Sequence, residues 1–426
     1  MQNIVEELRW RGLIKEQTEG AEELLLKESV TLYNGFDPTG DSLHIGHLVP
    51  LMALARFQRM GHTPIVLAGG GTAMIGDPSG KSSERQLLTF QEVEANVEKI
   101  KPQLQKLMDF EVKPNTAKVV NNADWLSKLT MFDYLRDVGK HFTVNYMMAK
   151  DSVKSRIDRD QGISYTEFSY MILQSYDFYH LYQEYGCKMQ TGGSDQWGNI
   201  TAGTQYIRKV TGFPAQAMAY PLITRADGTK FGKTASGDSV WLDAEKTSPY
   251  KFHQFWYNTD DRDVINYLKY FTWLTREEIE GLAVELENDP GRRLAQKKLA
   301  DVMTELIHGA DGLSKAKQAA SVLFGGDLTG LSGSQIAEIF ADVPYADINK
   351  VDFSGEGMLL LDLLAVSGAT SSKGEARRLV KSGGISVNNQ RINNDKQILD
   401  TSWLIEGKYL VIRRGKKDYR LVKVVD

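Results

Sequence analysis

The chain has 426 residues, 42% hydrophobic and 25% charged, enough for roughly three domains of about 150 residues each, which excludes a lone small binding module. Fifty-one Lys and Arg against 55 Asp and Glu give a net charge of −4, not the balance of a uniformly basic nucleic-acid binder. A single cysteine, Cys187, excludes an intrachain disulfide and a Cys-x-x-Cys zinc module.

Residues 1–13 carry Glu6 and Glu7 in an amphipathic stretch, unlike a secretory signal or an acid-poor transit peptide, and read as part of the mature fold. No run approaches the ~20 apolar residues of a membrane span, so a soluble, cytoplasmic protein without membrane contact is expected. β-rich runs at 30–35, 64–68, 117–121 and 187–191 each end at or directly before a Gly or Asn, ahead of a helical stretch. That alternation predicts an α/β fold with a Rossmann-like parallel sheet over residues 1–246, whose ligand binds at the carboxyl ends of the strands. Helical spacing follows at 262–271, 276–287 and 294–308, with stops at Asp289-Pro290-Gly291 and Gly309, so residues 247–324 read as all-helical. Residues 325–355, rich in Gly, Ser, Asp and Pro with one short helical stretch at 335–340, read as a linker. Residues 356–426 hold two helices, 358–367 and 371–381, and β-like runs 385–392, 409–413 and 419–424, a small α+β domain.

Two glycine-rich segments imitate a phosphate loop. Gly76 to Gly80 before Lys81, and Gly228 to Gly232 before Lys233, each have three residues between the glycines where a Walker A loop needs four. Gly69-Gly70-Gly71 fails as a dinucleotide fingerprint because the third glycine would fall on Met74. More informative is Gly35-Phe-Asp-Pro-Thr39-Gly-Asp-Ser-Leu-His44-Ile-Gly46-His47, directly after the first strand and at the start of a helix. A helix start supplies unpaired N–H donors, His44 and His47 share one face, and Gly46 leaves room for a flat base. A capped helix with surface histidines would carry the same letters; a His-x-x-His metal pair lacks an obvious third ligand, so no structural metal is expected. Downstream, Lys230-Phe-Gly-Lys233-Thr234 puts two ammonium groups in a loop, suited to a pyrophosphate that gains charge as it leaves.

The apolar, aromatic run 165–186 reads as a buried helix. Within it Tyr170, Gln174 and Asp177 share one face at i, i+4, i+7. Buried unpaired, such groups would cost on the order of 2 to 7 kcal/mol each, so they satisfy one another or face a polar ligand.

His44-Ile-Gly-His47 resembles the HIGH motif of class I aminoacyl-tRNA synthetases, and Lys230-Phe-Gly-Lys-Thr234 is similar to their KMSKS loop, departing from it at Phe231, Gly232 and Thr234. The segments Leu32-Tyr33-Asn-Gly-Phe-Asp-Pro-Thr, Phe142-Thr-Val-Asn-Tyr-Met-Met-Ala-Lys150, Tyr165-Thr-Glu-Phe-Ser-Tyr170-Met-Ile-Leu-Gln174-Ser-Tyr-Asp177 and Gly192-Gly-Ser-Asp195-Gln196-Trp-Gly-Asn-Ile resemble the bacterial tyrosyl-tRNA synthetases. The resemblance implies ATP as substrate with Mg2+, L-tyrosine, tRNA(Tyr) and a homodimer. By it, Thr39 and His44 contact phosphate, Gly46 and His47 line the nucleotide, and Lys230 and Lys233 hold pyrophosphate, with Lys81 and Arg85 as further ATP contacts. Asp77, Tyr170 and Gln174 would hold the ammonium of tyrosine, Tyr33 and Asp177 its phenol, Asp195 the ribose, and Gln196 would lie near the carboxylate. Phenylalanine would leave Tyr33 and Asp177 unpaired, and this family is itself a standard illustration of selectivity without editing.

The near-neutral total hides an asymmetry. Residues 371–426 hold thirteen Lys or Arg against six Asp or Glu, a local +7 that leaves −11 for the remainder. Lys373, Arg377 and Lys381 line one helix face, and Arg413, Arg414, Lys416 and Lys417 form a cluster suited to phosphate. Gly383-Gly-Ile-Ser-Val-Asn-Asn389-Gln-Arg-Ile after two helices resembles the S4 RNA-binding domain, which in this family follows a helical anticodon-binding region. Trp197, Arg208 and Lys209 are further expected tRNA contacts. The rival readings are a synthetase for tryptophan, disfavoured by Tyr33 and Asp177, and a catalytically silent RNA-binding relative, disfavoured by the intact histidine and lysine pairs.

Overall fold

Six strands form the first sheet: β1 (Glu16–Gln17), β2 (Thr31–Phe36), β3 (Thr63–Ala68), β4 (Lys118–Asn121), β5 (Cys187–Gly193) and β6 (Gln216–Tyr220), in the order β1-β6-β5-β2-β3-β4. This is a computed structural model, described for all residues except 1–2, 80–87, 112, 158–161, 230, 234–236, 327, 329–330, 342, 416–417 and 426. Strands β2 to β6 are mutually parallel and only β1 runs antiparallel, on β6. The chain builds outward from β2 through β3 to β4, then returns to the other side with β5 and β6. The strand order therefore reverses between β2 and β5, and a crevice opens there beyond the carboxyl ends of the strands. The four expected strands are present; β1 and β6 carried no recognisable signal, because Gln216-Ala-Met-Ala-Tyr220 lacks β-branched residues although it is wholly buried.

The helix Leu48–Arg59 returns from β2 to β3 with Leu48, Leu51, Met52, Leu54 and Phe57 buried against the sheet. The helix Tyr165–Tyr185 starts at Ser164, whose side chain accepts from Glu167 N, and stops at Gly186 with φ 62°. Its first turn is held by a buried ion pair, Arg156 donating to both Glu167 oxygens at 2.8 and 2.9 Å.

The chain divides into two compact units, residues 1–248 with 254–307, and residues 249–253 with 308–426. This differs from the boundaries expected at 246 and 324. The helices Asp261–Phe271 and Arg276–Asn288 belong with the first sheet because two arginines close the carboxyl end of the former. Buried Arg56 donates to the carbonyls of Tyr270 at 2.9 Å and Thr272 at 2.6 Å, and Arg11 donates to those of Lys269 and Leu274, both at 2.8 Å. Those carbonyls have no partner within the helix, and a cation there also complements its dipole. The helix Leu294–Leu323 breaks at Gly309, φ 74°.

In the second unit β7 (Tyr345–Asn349), β9 (Ile385–Val387), β10 (Gln390–Arg391), β12 (Tyr409–Arg414) and β13 (Asp418–Val425) form a sheet in the order β10-β9-β12-β13-β7, while β8 (Met358–Leu359) pairs with β11 (Ile398–Leu399). Part of the expected linker is thus folded: β7 adds to β13 in parallel over five register pairs, and the helix Gly333–Ile339 buries Ile336 and Ile339 beside Val411 and Leu421. The helices Leu360–Val366 and Lys373–Lys381 pack with Ile385, Val387, Leu410, Ile412 and Val422. The run expected at 385–392 is a hairpin instead of one strand, turned by Asn388 and Asn389 at φ 48° and 60°.

Candidate active site

A cavity of about 690 Å³ lies in the first unit at the strand-order reversal, lined by the carboxyl ends of β2, β5 and β6. It collects Tyr33, Thr39, His44, Gly46, His47, Asp77, Tyr170, Gln174, Asp177, Asp195 and Gln196, all singled out from the sequence. Lys81, Arg85 and Lys230 lie outside the described residues.

Each histidine is locked by the backbone of its own turn. His44 Nδ1 accepts from Gly46 N at 3.1 Å, His47 Nδ1 accepts from His44 N at 3.2 Å, and the rings stack at 3.9 Å. A nitrogen that accepts is unprotonated, so the ring proton of each sits on Nε2, and each ring can donate from that atom. Loss of solvent, then neighbouring His44, pushes His47 down to about 3; loss of solvent, then Lys233, also lowers His44. Both are neutral hydrogen-bond donors at physiological pH. Gly46 has a strict reason: an added Cβ would lie 2.9 Å from two ring atoms of His44.

The lysine loop is laced to this turn. Ile45 N donates to Val240 O at 3.0 Å, Leu242 N to Leu43 O at 2.8 Å, and Val240 N to Gly232 O at 3.2 Å. Gly232, at φ 95°, lies so close that an added Cβ would be 3.6 Å from Gly46 N. Lys233 Nζ donates to Ser239 Oγ at 2.9 Å.

The described walls of the cavity are also acidic. Among the described lining residues are Asp37, Asp77, Asp177 and Asp195, and no Lys or Arg. Asp77 accepts from Ser79 N at 3.0 Å and from Gln196 Nε2 at 2.6 Å, so in this structure Gln196 is tied to a carboxylate. Tyr170 donates to Asp37 at 3.4 Å, and its hydroxyl is held well above the usual phenol range by burial and then by Asp37, Asp77 and Asp177. Asp177 accepts from Trp125 Nε1 at 2.7 Å and from Asn122 Nδ2 at 2.9 Å, while burial pushes it up to about 7. Its partners thus come from the segment after β4, not from its own helix face. Four buried polar atoms of lining residues have no hydrogen-bond partner among the described residues: Tyr33 Oη, Gln174 Oε1, Gln190 Oε1 and Tyr220 Oη.

Asp37, Thr72 and Gln190 also line the cavity, and Asn122 and Trp125 support Asp177, although no motif in the sequence marks them for these places. Asp37 stood inside the quoted histidine segment, whereas Asn122 and Trp125 follow β4 in no motif. Phe231, counted as a departure from a common pattern, lines the cavity.

In the second unit Lys373, Arg377 and Lys381 are exposed; Lys373 pairs with Asp362, and Arg377 and Lys381 both reach Asp395. Arg414 pairs with Asp418, and Arg413 is half-buried, donating to Ser386 Oγ and Tyr419 Oη at 3.4 Å. Lys416 and Lys417 lie outside the described residues. In the first unit Arg208 is exposed and Lys209 donates to His141 O at 2.7 Å.

Residues 26–325 match the class I tRNA synthetases of the tryptophan and tyrosine group, and residues 335–422 match the tyrosine–tRNA ligase SYY-like C-terminal domain. The chain is 54% identical over 425 residues to a tyrosine–tRNA ligase of Roseiflexus castenholzii, covering 100% of both chains. It is 53% identical over 424 residues to one of Geobacillus stearothermophilus, covering 99% of both. Among solved structures, a C-terminally truncated mitochondrial tyrosyl-tRNA synthetase of Aspergillus nidulans is similar with TM-score 0.68 at 32% identity, over 76% of this chain and 95% of that one.

Proposed function

Because the chain belongs to the tyrosine–tRNA ligases of class I, we propose that the cavity between the stacked histidines and the carboxylates is where tyrosine and ATP meet. The protein activates L-tyrosine with ATP to tyrosyl-adenylate, releasing pyrophosphate, and transfers tyrosine to the 3′ end of tRNA(Tyr). The observation that carries the site assignment is the set of buried polar atoms left without partners, Tyr33 Oη and Gln174 Oε1, on the walls that hold Asp77 and Asp177. Buried polar groups are otherwise paired, and an amino acid with an ammonium at one end and a phenol at the other supplies what they lack.

In this reading Asp77, Tyr170 and Gln174 receive the ammonium, with Asp37 beside them in a wall whose described residues include no Lys or Arg. The phenol donates to Asp177 and accepts from Tyr33, so a side chain without a hydroxyl leaves the Tyr33 hydroxyl without a partner and Asp177 with only Trp125 and Asn122 as donors. The tyrosine carboxylate attacks the α-phosphorus. Thr39 and the Nε2–H group of His44 hold phosphate oxygens, Gly46 and His47 line the nucleotide, and Asp195 takes the ribose. Gln196, released from Asp77, turns to the tyrosine carboxylate. Lys230 and Lys233 take up the charge of the departing pyrophosphate, with Lys81 and Arg85 contributing to ATP binding. ATP arrives with Mg2+ on its phosphates, the mode in which this ion keeps most of its waters. Catalysis is positioning and electrostatics, with no side-chain nucleophile.

The second unit serves tRNA. Exposed Lys373, Arg377, Lys381 and Arg414, with Arg413, Lys416 and Lys417, contact phosphate in an S4-like manner, and the helices of 254–307 face the anticodon stem. Trp197, Arg208 and Lys209 are further tRNA contacts in this reading. A homodimer is supported by Met131, Phe132, Leu135, Val144 and Met148, apolar side chains exposed on neighbouring short helices. Among the described residues no helix is long and apolar enough to cross a membrane, and the protein works in the cytoplasm. ATP–pyrophosphate exchange with each of the twenty amino acids tests this reading: tyrosine alone supports it, and exchange with tryptophan instead, or with none, contradicts it.

A further inference from the structure

We propose that Phe231 is a positioning residue for adenylate formation, an aromatic anchor that fixes the Lys233 ammonium above the His44–His47 turn. The inference rests on the reading of the cavity as the tyrosine-activating site and gives a purpose to one of the three residues at which the lysine loop departs from the common pattern.

Backbone stiffness cannot hold this loop. Gly228, Gly232 and Gly237 take φ values of 81°, 95° and 90°, a region open to glycine at no steric cost and equally easy for glycine to leave. Phe231 sits between the first two, in a socket of four rings. It stacks on Phe271 with centroids 5.3 Å apart and planes 13° apart, and meets Tyr267 at 5.0 Å and Phe255 and Trp256 at 5.9 Å. These are favourable stacked and edge contacts, and Trp256 and Phe271 are fully buried, so the socket is part of the packed interior. Two polar ties hold the same loop to the same helices. Ala226 N donates to Asp263 Oδ2 at 3.0 Å, and Arg225 lies over the Phe255 ring while donating to the carbonyl of Lys233.

From the socket the path to the chemistry is short. The residue after Phe231 is Gly232, whose carbonyl accepts from Val240; Lys233 pairs with Ser239, and Val240 in turn accepts from Ile45 between the histidines. Socket, loop and histidine turn are one connected series. A cation stabilises a developing charge only if it is already in place when that charge appears, and displacement of about 1 Å can cost about a hundredfold. The helices that form the socket therefore set the position of Lys233 without touching a substrate.

The test uses the full-length enzyme, with tyrosine-dependent ATP–pyrophosphate exchange for kcat, tyrosine binding for affinity, and thermal unfolding as the control. Phe231→Ala is expected to lower kcat about ten- to a hundredfold while tyrosine affinity stays within about twofold, and Phe231→Leu is expected to recover most of the loss. Lys233→Ala distinguishes positioning from general damage: on the Phe231→Ala background its cost should shrink to about a tenth of its cost in the unmodified chain. Phe271→Leu, outside loop and cavity, should reproduce the kcat loss. A Phe231→Ala enzyme within about twofold of the unmodified kcat, or additive effects of Phe231→Ala and Lys233→Ala, would overturn the proposal. If the unmodified chain shows no exchange with tyrosine, the functional reading itself fails; exchange by the unmodified chain with an indifferent Phe231 defeats only the anchor.

Discussion

Replacing Trp125 by Phe removes one hydrogen-bond donor from Asp177 and leaves a ring of similar shape to stack on His180, which lies 4.3 Å from Trp125. The carboxylate now accepts two side-chain hydrogen bonds, from Trp125 at 2.7 Å and Asn122 at 2.9 Å. Burial pushes Asp177 up to about 7, and those donors hold it below what burial alone would give. A hydrogen bond to a charged group contributes about 1.5–3 kcal/mol, equivalent to about one to two pKa units, so Trp125→Phe moves the titration above neutrality. The form that accepts the phenol hydrogen is the carboxylate, and it is lost as pH falls through the folded-state pKa. At about pH 7 the variant should therefore show a tyrosine KM raised about tenfold or more, recovering towards about pH 9, while the unmodified enzyme weakens only on the acid side of neutrality. Pyrophosphate exchange over a pH series measures this, with the KM for ATP as the control, which should scarcely move because ATP makes no contact with Asp177 in this reading. A tyrosine KM that is unchanged, or raised equally at every pH, would refute the argument.

Gly46→Ala should lower the rate of adenylate formation about tenfold or more with tyrosine affinity unchanged, since the new Cβ falls 2.9 Å from the His44 ring and a displaced hydrogen-bond donor no longer meets the phosphate; stopped-flow adenylate formation reads it, and an unimpaired variant would count against the histidine turn. Arg56→Met should destabilise the first unit by about 3 kcal/mol or more, because the carbonyls of Tyr270 and Thr272 lose a charged donor in a buried place; urea unfolding with an unchanged midpoint would contradict that. Reversing Lys373, Arg377 and Lys381 to Glu should cut tRNA charging about tenfold or more at moderate salt while leaving pyrophosphate exchange intact; equal loss of both activities would contradict the division of labour.

The parallel sheet was legible because each of its four expected strands is a short apolar run closed by a turn residue, and β6 escaped because alanine, methionine and glutamine give no strand signal outside their burial. The helical block was legible as helices but not as part of the first unit, since the contacts that join it come from Arg11 and Arg56, charged residues whose burial no hydrophobic pattern announces. Strand β7 hid for a related reason: its burial pattern is mostly exposed, and it exists by pairing with β13 about seventy residues later in the chain. In the cavity, the side chains on contiguous motifs were found and those that orient them were not. Asp177 could be placed on a helix face from its spacing, but its partners Asn122 and Trp125 reach it from another strand end, a relation that only the fold creates.

Transfer of labelled tyrosine to tRNA tests the central claim most directly. The purified protein, with ATP and Mg2+, should esterify tyrosine to the 3′ end of tRNA(Tyr) and leave the same tRNA uncharged when phenylalanine or tryptophan replaces it. Absence of charging with tyrosine, or equal charging with phenylalanine, would contradict the account built on Tyr33, Asp177 and the two facing motifs.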